Sequence, residues 1–293
     1  MIPIYECENQ EKVRTIHIEI TNACNLACSN CTRFVGHHRK PYVMSLDEVR
    51  SAIRSLVNSP CNVGIMGGEP TSHPQFREIL QILEELIVDK TRRGLWTDGF
   101  RYDKYREEIE RVFLPQNIVY NSHDEGIEDY HQPLLIHPKD VGLSDDEHAE
   151  YVKNCWVQRR WSASITPKGG FFCEVAAAQD MLFDGPGGYP LTDDWWNRRP
   201  VEFQDQVERY CKNCSACIPL PKVSALEETD YVSQTNYARL KEVNSPKIKK
   251  GLVKVVSLDF VSRGNKNHRP WEHRAKDDCQ FGHGTRYSEA GIK

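Results

Sequence analysis

Residues 13 to 20, VRTIHIEI, alternate apolar and polar side chains with β-branched residues at the apolar positions. A period of two predicts a strand. Ser45 precedes LDEVRSAIRSLVN, and Glu48 three residues on completes a capping box, so a helix is predicted from about residue 46 to 58. NVGIMG follows as a second strand ending in Gly67 and Gly68, and Pro74 opens a longer helix through QFREILQILEELIVD. GLWT, Tyr102 to Phe113 and NIVYNS continue as strand, helix and strand. Strands alternating with helices imply a parallel sheet with right-handed crossovers, either open and doubly wound or curled as a barrel. In both forms chemistry gathers at the carboxyl ends of the strands.

The pattern weakens from about residue 126 to 150. Beyond 155, WSASITP, the turn Lys168-Gly169-Gly170 and FFCEVA predict a β-hairpin, followed by a helix through AAAQDMLF, a Gly/Pro-rich loop DGPGGYP and the segment CKNCSACIP. The last stretch contains one predicted strand within LVKVVSLDFV and a polar end. Three regions are therefore expected: residues 1–150 as the β/α unit, 151–225 as a smaller unit and 226–293 with no assigned role.

Composition narrows the class. With 39% hydrophobic and 27% charged residues the 293-residue chain can bury a core, which excludes disorder and fibrous folds. A formal charge of -4 offers no general attraction to nucleic acid or to an anionic membrane. No apolar run approaches the roughly 18 residues that cross a bilayer, and a cytoplasmic protein is expected. Eleven cysteines are an odd count for disulfides in a reducing compartment. They also fall in groups: Cys24, Cys28 and Cys31; then Cys155 and Cys173; then Cys211, Cys214 and Cys217, with Cys7, Cys61 and Cys279 alone.

Three thiolates within CNLACSNC can converge on one site if the backbone loops around it, and three ligands suit a cubane with an open corner. Zinc normally takes four protein ligands, so the spacing suits it less well, yet zinc and plain packing both stay open on spacing alone. The positions of the motifs carry more. Cys24, Cys28 and Cys31 follow the first strand as CxxxCxxC, and Gly67, Gly68, Glu69 and Pro70 follow the second as GGEP. In both respects the chain resembles the radical S-adenosylmethionine (radical SAM) superfamily. The resemblance implies that the three cysteines hold a 4Fe-4S cluster whose fourth iron is chelated by S-adenosyl-L-methionine. It also implies that reduction by an external donor such as flavodoxin or ferredoxin yields a 5'-deoxyadenosyl radical, which abstracts a hydrogen atom from substrate. In GGEP the glycines would let backbone approach the ligand and Glu69 would accept from its ammonium, the alternative being a plain strand-to-helix turn.

Relatives of this type often carry an aromatic residue just before the third cysteine, where it packs near adenine; here that position is Asn30, and Phe34 is the expected substitute. Thr97, Asp98 and Gly99 resemble a segment that lines the same pocket, and Asn121, Ser122 and His123 resemble a strand-four end that contacts ribose or the methionine carboxylate. Each is a short match that an ordinary loop would also produce.

The glycine turn before Cys173 resembles the SPASM/twitch extension downstream of some radical SAM barrels. With too few cysteines for two further clusters, the shorter twitch form is implied, holding one auxiliary 4Fe-4S cluster on Cys155, Cys173, Cys211 and Cys214 with Cys217 as an alternate. A zinc site or unliganded core thiols are the alternatives. The expected fold is a partial (β/α) TIM-like barrel followed by a small α+β twitch-type extension. An auxiliary cluster can accept an electron, so net oxidation of a small polar metabolite such as a sugar, cyclitol or nucleoside is the expected reaction. Peptide modification and redox-neutral epimerisation, with Cys217, Cys61 or Cys279 as hydrogen donor, are alternatives, and a non-catalytic zinc or iron-sulfur module is the rival from another class. Alcohol oxidation needs a base, for which the strand-four rim offers His123, Asp124 and Glu125, while Arg159 and Arg160 would hold a polar substrate. Any one of these could equally be a solvated or ion-paired side chain.

Overall fold

The structure, a computed structural model, describes residues 15–120, 130–153, 155, 162–198, 200–258 and 260. Strands β1 (Thr15–Thr21), β2 (Asn62–Gly67), β3 (Arg93–Thr97) and β4 (Ile118–Tyr120) lie parallel and side by side in chain order. Their connections carry α1 (Leu46–Arg54), α2 (Phe76–Leu86) and α3 (Arg106–Val112). Strands added in chain order by crossovers of one hand put every helix on the same face, and α1 packs on α2 and α2 on α3 as one layer. A doubly wound sheet would reverse its order and divide its helices between two faces. The described sheet is thus a partial (β/α) barrel, as expected.

Helix α1 begins for the reason read from the chain, whereas α2 begins at Phe76, two residues past the Pro74 expected to open it. Ser45 accepts from the Glu48 N–H and the Glu48 carboxylate accepts from the Ser45 N–H, closing the capping box at the start of α1. The helix is shorter than predicted: the Ser55 hydroxyl donates to the Ala52 carbonyl, and residues 55–58 continue as turns. Phe76, Ile79, Leu80 and Leu83 put the apolar stripe of α2 into the core between helices and sheet.

On β1 the two faces part. Ile16, Ile18 and Ile20 are fully buried in the core that Val49, Ile53 and Leu83 also join. Thr15, His17, Glu19 and Thr21, on the opposite face, are buried as well. A half-exposed strand would leave those polar residues in water; here the barrel interior encloses them.

After β5 (Tyr130–His131) and α4 (Asp145–Lys153) the expected hairpin forms from β6 (Ser162–Thr166) and β7 (Gly169–Phe171), turning at Gly169 with φ of 112°. The hairpin is continuous with the barrel. β6 pairs parallel with β1 on the edge away from β2, giving the order β4-β3-β2-β1-β6-β7. α5 (Glu174–Leu182) and α6 (Gln204–Tyr210) then pack on each other, and β8 (Val223–Ser224) pairs antiparallel with β5. β9 (Asp230–Val232), α7 (Gln234–Glu242), α8 (Pro246–Lys249) and β10 (Val253–Val255) follow, with β10 parallel to β9.

These later elements share a second core that includes Ile136, Phe171, Phe172, Val207, Ile218 and Leu240. Its thread is the segment 132–136, where no sequence period was evident. The Gln132 amide donates to the Ser215 and Ile218 carbonyls at 2.7 and 2.6 Å, and the Ser215 and Ser233 N–H groups donate to the Leu134 and Leu135 carbonyls at 3.0 Å. Backbone paired to neighbours on both sides can be buried without being a regular strand.

Candidate functional site

The cysteine loop leaves β1 at a register slip between Glu19 and Thr21, where β1 carries one residue more than β2. Such a slip re-aims the chain at a strand end. The loop closes on itself: the Thr21 hydroxyl donates to the Tyr42 carbonyl at 2.6 Å, the Tyr42 N–H donates to the Asn22 side chain at 2.7 Å, and the Met44 N–H returns to the Ile20 carbonyl at 2.9 Å. Cys24, Cys28 and Cys31 are part-buried and act on one another. Burial pushes the Cys24 thiol up to about 12, with Cys31, Asp98 and Glu69 adding to it and the Leu26 N–H opposing. Burial and then Cys31 and Cys24 raise Cys28 further.

Gly67 and Gly68 are needed for a closer reason than a ligand. A Cβ on Gly67 would stand 2.0 Å from the Thr21 carbonyl oxygen, and one on Gly68 would stand 2.4 Å from that of Ala23. The Gly68 and Glu69 N–H groups donate to those same two carbonyls at 2.8 and 2.7 Å. The turn after β2 is thus laced onto the stretch that leads into Cys24. Glu69 is fully buried, and its carboxylate accepts from the Thr71 N–H and hydroxyl, the Thr97 hydroxyl and the Asp98 N–H. Burial, and after it Asp98, raises its pKa to about 7 against the pull of those donors. Glu69 therefore ties the ends of β2 and β3 together, while Pro70 starts the short turn that follows.

Asp98 holds the Phe100 N–H at 2.8 Å and lies 3.8 Å from the Cys24 sulfur, and Thr97 accepts from the Gly99 N–H at 3.0 Å. Three strand ends therefore meet at one rim. Asn121, Ser122, His123, Asp124 and Glu125 lie outside the described residues, as do Arg159 and Arg160. Phe34 is 3% exposed and packs within the second core, its N–H donating to the Cys31 carbonyl at 3.0 Å. Asn30, which occupies the aromatic position, is also buried, with a left-handed φ of 49° that an Asn tolerates better than an aromatic residue. Cys61 sits in the first core at 1% exposure.

The later cysteines converge although they come from three places in the chain. Cys173 precedes α5, Cys211 and Cys214 follow α6, and Cys155 and Cys217 are buried beside them. Burial raises Cys211, after which Cys214, Cys155, Cys173 and Cys217 each add to the effect. Cys217 is raised by burial, then by Cys155 and Cys214, so the structure draws it into the same group as the other four. Cys214 is pushed up to about 12 by burial and Cys155 against the Ala216 N–H, which points at its sulfur.

Between the two thiol sets lies a buried polar network that no local pattern announced. Arg33, two residues past Cys31, reaches Glu19 at 3.1 Å and Glu174 at 3.0 Å. Glu174 is the residue after Cys173. His17 approaches Glu174 at 3.4 Å and stands edge-on to Trp96, and the Ser164 hydroxyl donates to Glu19 at 2.8 Å. Burial alone would raise both carboxyls; the Arg33 guanidinium and then His17 hold Glu174 well below the usual range, while burial wins at Glu19. Burial lowers His17, keeping it a neutral core histidine.

Among the described residues no group of three or more His, Cys, Asp or Glu side chains is gathered as one metal ion requires, and no described cysteine is in a disulfide. Buried thiols that raise one another are a donor set whose ionised form needs a bound cation. Cys24, Cys28 and Cys31 are a donor set of the kind an iron-sulfur cluster takes.

Residues 18–134 match the model of the Radical SAM superfamily. Over 105 residues, 35% of this chain and 34% of the relative, the sequence is 29% identical to a "Probable GTP 3',8-cyclase" of Methanococcus maripaludis. Over 120 residues, 36% of this chain and 40% of the relative, it is 24% identical to the FeMo cofactor biosynthesis protein NifB of Methanocaldococcus jannaschii. The match spans little more than a third of either relative's own length. Among solved structures, BtrN in complex with AdoMet and 2-DOIA is similar at a TM-score of 0.45 and 16% identity, covering 70% of this chain and 94% of that one. BtrN in an open conformation gives 0.43 and 17%, covering 70% and 92%.

Proposed function

We propose that this chain, whose residues 18–134 match the Radical SAM superfamily, is a radical SAM enzyme that oxidises a small polar metabolite by removing a hydrogen atom and then passing one electron to a second cluster. Bound at Cys24, Cys28 and Cys31, a 4Fe-4S cluster and S-adenosyl-L-methionine, reduced by an external one-electron donor, would supply the 5'-deoxyadenosyl radical that takes the hydrogen atom. The protein's part is to aim and enclose. The GGEP turn laced to residues 21–23 holds the entry to the cysteine loop, and Glu69 locks it to Thr97 and Asp98.

One observation carries the oxidative reading: the Arg33 to Glu174 ion pair joins the residue two past Cys31 to the residue next to Cys173. The two thiol sets thereby flank one buried network, and a second cluster on Cys155, Cys173, Cys211 and Cys214, with Cys217 in reach, would adjoin the first. His123 and Asp124 are the proposed proton acceptors for a substrate hydroxyl, and Arg159 a substrate contact.

The test is anaerobic reconstitution followed by dithionite and S-adenosyl-L-methionine. About eight irons per chain and formation of 5'-deoxyadenosine are expected, on the stoichiometry of two cubanes. With a substrate found by screening deuterated sugars, cyclitols and nucleosides, one deuterium should appear in 5'-deoxyadenosine and the product should lack two hydrogens. Product of unchanged mass would replace oxidation by epimerisation, and fully loaded protein that never forms 5'-deoxyadenosine would end the proposal.

A further inference from the structure

The region beyond residue 225, to which the chain pattern gave no task, grips the cysteine loop from behind. Lys247, on α8, is 3% exposed; its ammonium donates to the Cys28 carbonyl at 2.9 Å and to the Asp230 carboxylate at 2.7 Å. The other Asp230 oxygen meets His37 Nε2 at 2.6 Å, and His37 Nδ1 meets the Ser245 hydroxyl at 2.7 Å. Asp230 also accepts from the Asn30 N–H at 2.6 Å, and the Asn30 side-chain oxygen accepts from the Tyr231 N–H at 2.9 Å. One residue earlier the Ser29 N–H donates to the Ala225 carbonyl at 2.8 Å. Residues 28–30 of the loop are thus bonded to chain some 200 positions away. The fit around the lysine is close: a Cβ on Gly36 would meet Lys247 Cε at 2.5 Å.

We propose that Lys247 is a positioning residue for the first cluster: held by Asp230 and His37, it fixes the Cys28 peptide and sets a buried positive charge beside the cluster, favouring its reduced form. This rests on the cluster assignment made above. The lysine is oriented, with its carboxylate partner on the side of β9 and its free hydrogen-bonding reach spent on the loop that carries the ligands. One-electron reduction by a low-potential donor adds one negative charge to the cluster. A fixed cation nearby, in a site shielded from water, stabilises that added charge more than bulk solvent would. Arginine at 247 would keep the charge; methionine would keep much of the stem and lose it.

The experiment compares the full chain with Lys247→Met, Lys247→Arg and Gly36→Ala. In the metal-free protein, hydrogen exchange of peptides covering residues 26–38 reads the clamp; Lys247→Met should lose protection there while peptides from α2 keep theirs. In the reconstituted protein, dithionite titration followed by electron paramagnetic resonance reads the cluster. Lys247→Met should need a more negative potential for half-reduction, and Lys247→Arg should recover most of the shift. Gly36→Ala, which displaces the lysine stem and leaves its charge, should shift in the same direction by less, and it keeps the test in force if Lys247→Met does not fold. Equal midpoints in all variants of a cluster-bearing wild type would overturn the proposal while the radical SAM reading stands. A wild type that takes up no iron with an intact clamp in hydrogen exchange would instead overturn that reading.

Discussion

Replacing Gly67 by alanine measures how far the turn after β2 serves the cysteine loop. The new Cβ would lie 2.0 Å from the Thr21 carbonyl oxygen, whereas ordinary contact is 3.4–4 Å. The two segments would have to part by about 1.4 Å, the difference between 2.0 and 3.4 Å, and both sides of the clash are main chain. The Gly68 to Thr21 and Glu69 to Ala23 hydrogen bonds, at 2.8 and 2.7 Å, flank the clash and would not survive that separation. Two such bonds at about 1 kcal/mol each, with about 1–3 kcal/mol for overpacking, predict a loss of about 3–5 kcal/mol. Gly251→Ala is the comparison: its φ is +72° but nothing lies within 4 Å, so only backbone strain of about 1–2 kcal/mol is expected. Urea unfolding of the metal-free variants, followed by circular dichroism, ranks the two. Iron uptake at Cys24, Cys28 and Cys31 should fall in Gly67→Ala alone. If Gly67→Ala unfolded no earlier than Gly251→Ala, the close approach of β2 to residues 21–23 would not be what the glycine is for.

Arg33→Met leaves Glu19 and Glu174 buried without their shared cation, and a loss of about 3–5 kcal/mol is expected in the same assay, partly restored when Glu174→Gln is added. Cys173→Ala should remove about half of the iron while 5'-deoxyadenosine still forms; an unchanged iron count would show that the later thiols hold no cluster. Burial, aided by His37, lowers the His38 pKa to about 4. The unfolded chain takes up this proton near pH 6.5 and the folded chain does not, so wild type should lose stability relative to His38→Gln as pH falls from about 6.5 to about 4, by up to about 3 kcal/mol. A difference between the two that stays flat over that range would show the imidazole to be solvated in the folded protein.

Much of the fold was legible because its signals are local. The period of two read over residues 13–20, the capping box at Ser45 and Glu48 and the apolar stripe of α2 each act within a few residues, and they appear as a strand over Thr15–Thr21, the start of α1 and a helix over Phe76–Leu86. The order of elements then places CxxxCxxC and GGEP at neighbouring strand ends from the sequence alone. Where signals were not local, reading failed. Residues 132–136 have no period because their hydrogen bonds go to residues 215, 218 and 233. The hairpin was legible as a hairpin, but its pairing with β1 was not, since a parallel partner leaves no turn in the sequence.

By itself the sequence determined the strand and helix order and the spacing of the first three cysteines, because periodicity, capping and turn chemistry are properties of short segments. Only the tertiary structure decided what the polar face of β1 looks onto, that the Glu69 carboxylate is filled by Thr71, Thr97 and Asp98, and that Cys217 joins the later thiols. It alone brought Lys247 to Cys28 across 219 positions. Burial and ion pairing depend on which distant segments exclude water from a side chain, and that is settled when the chain closes on itself.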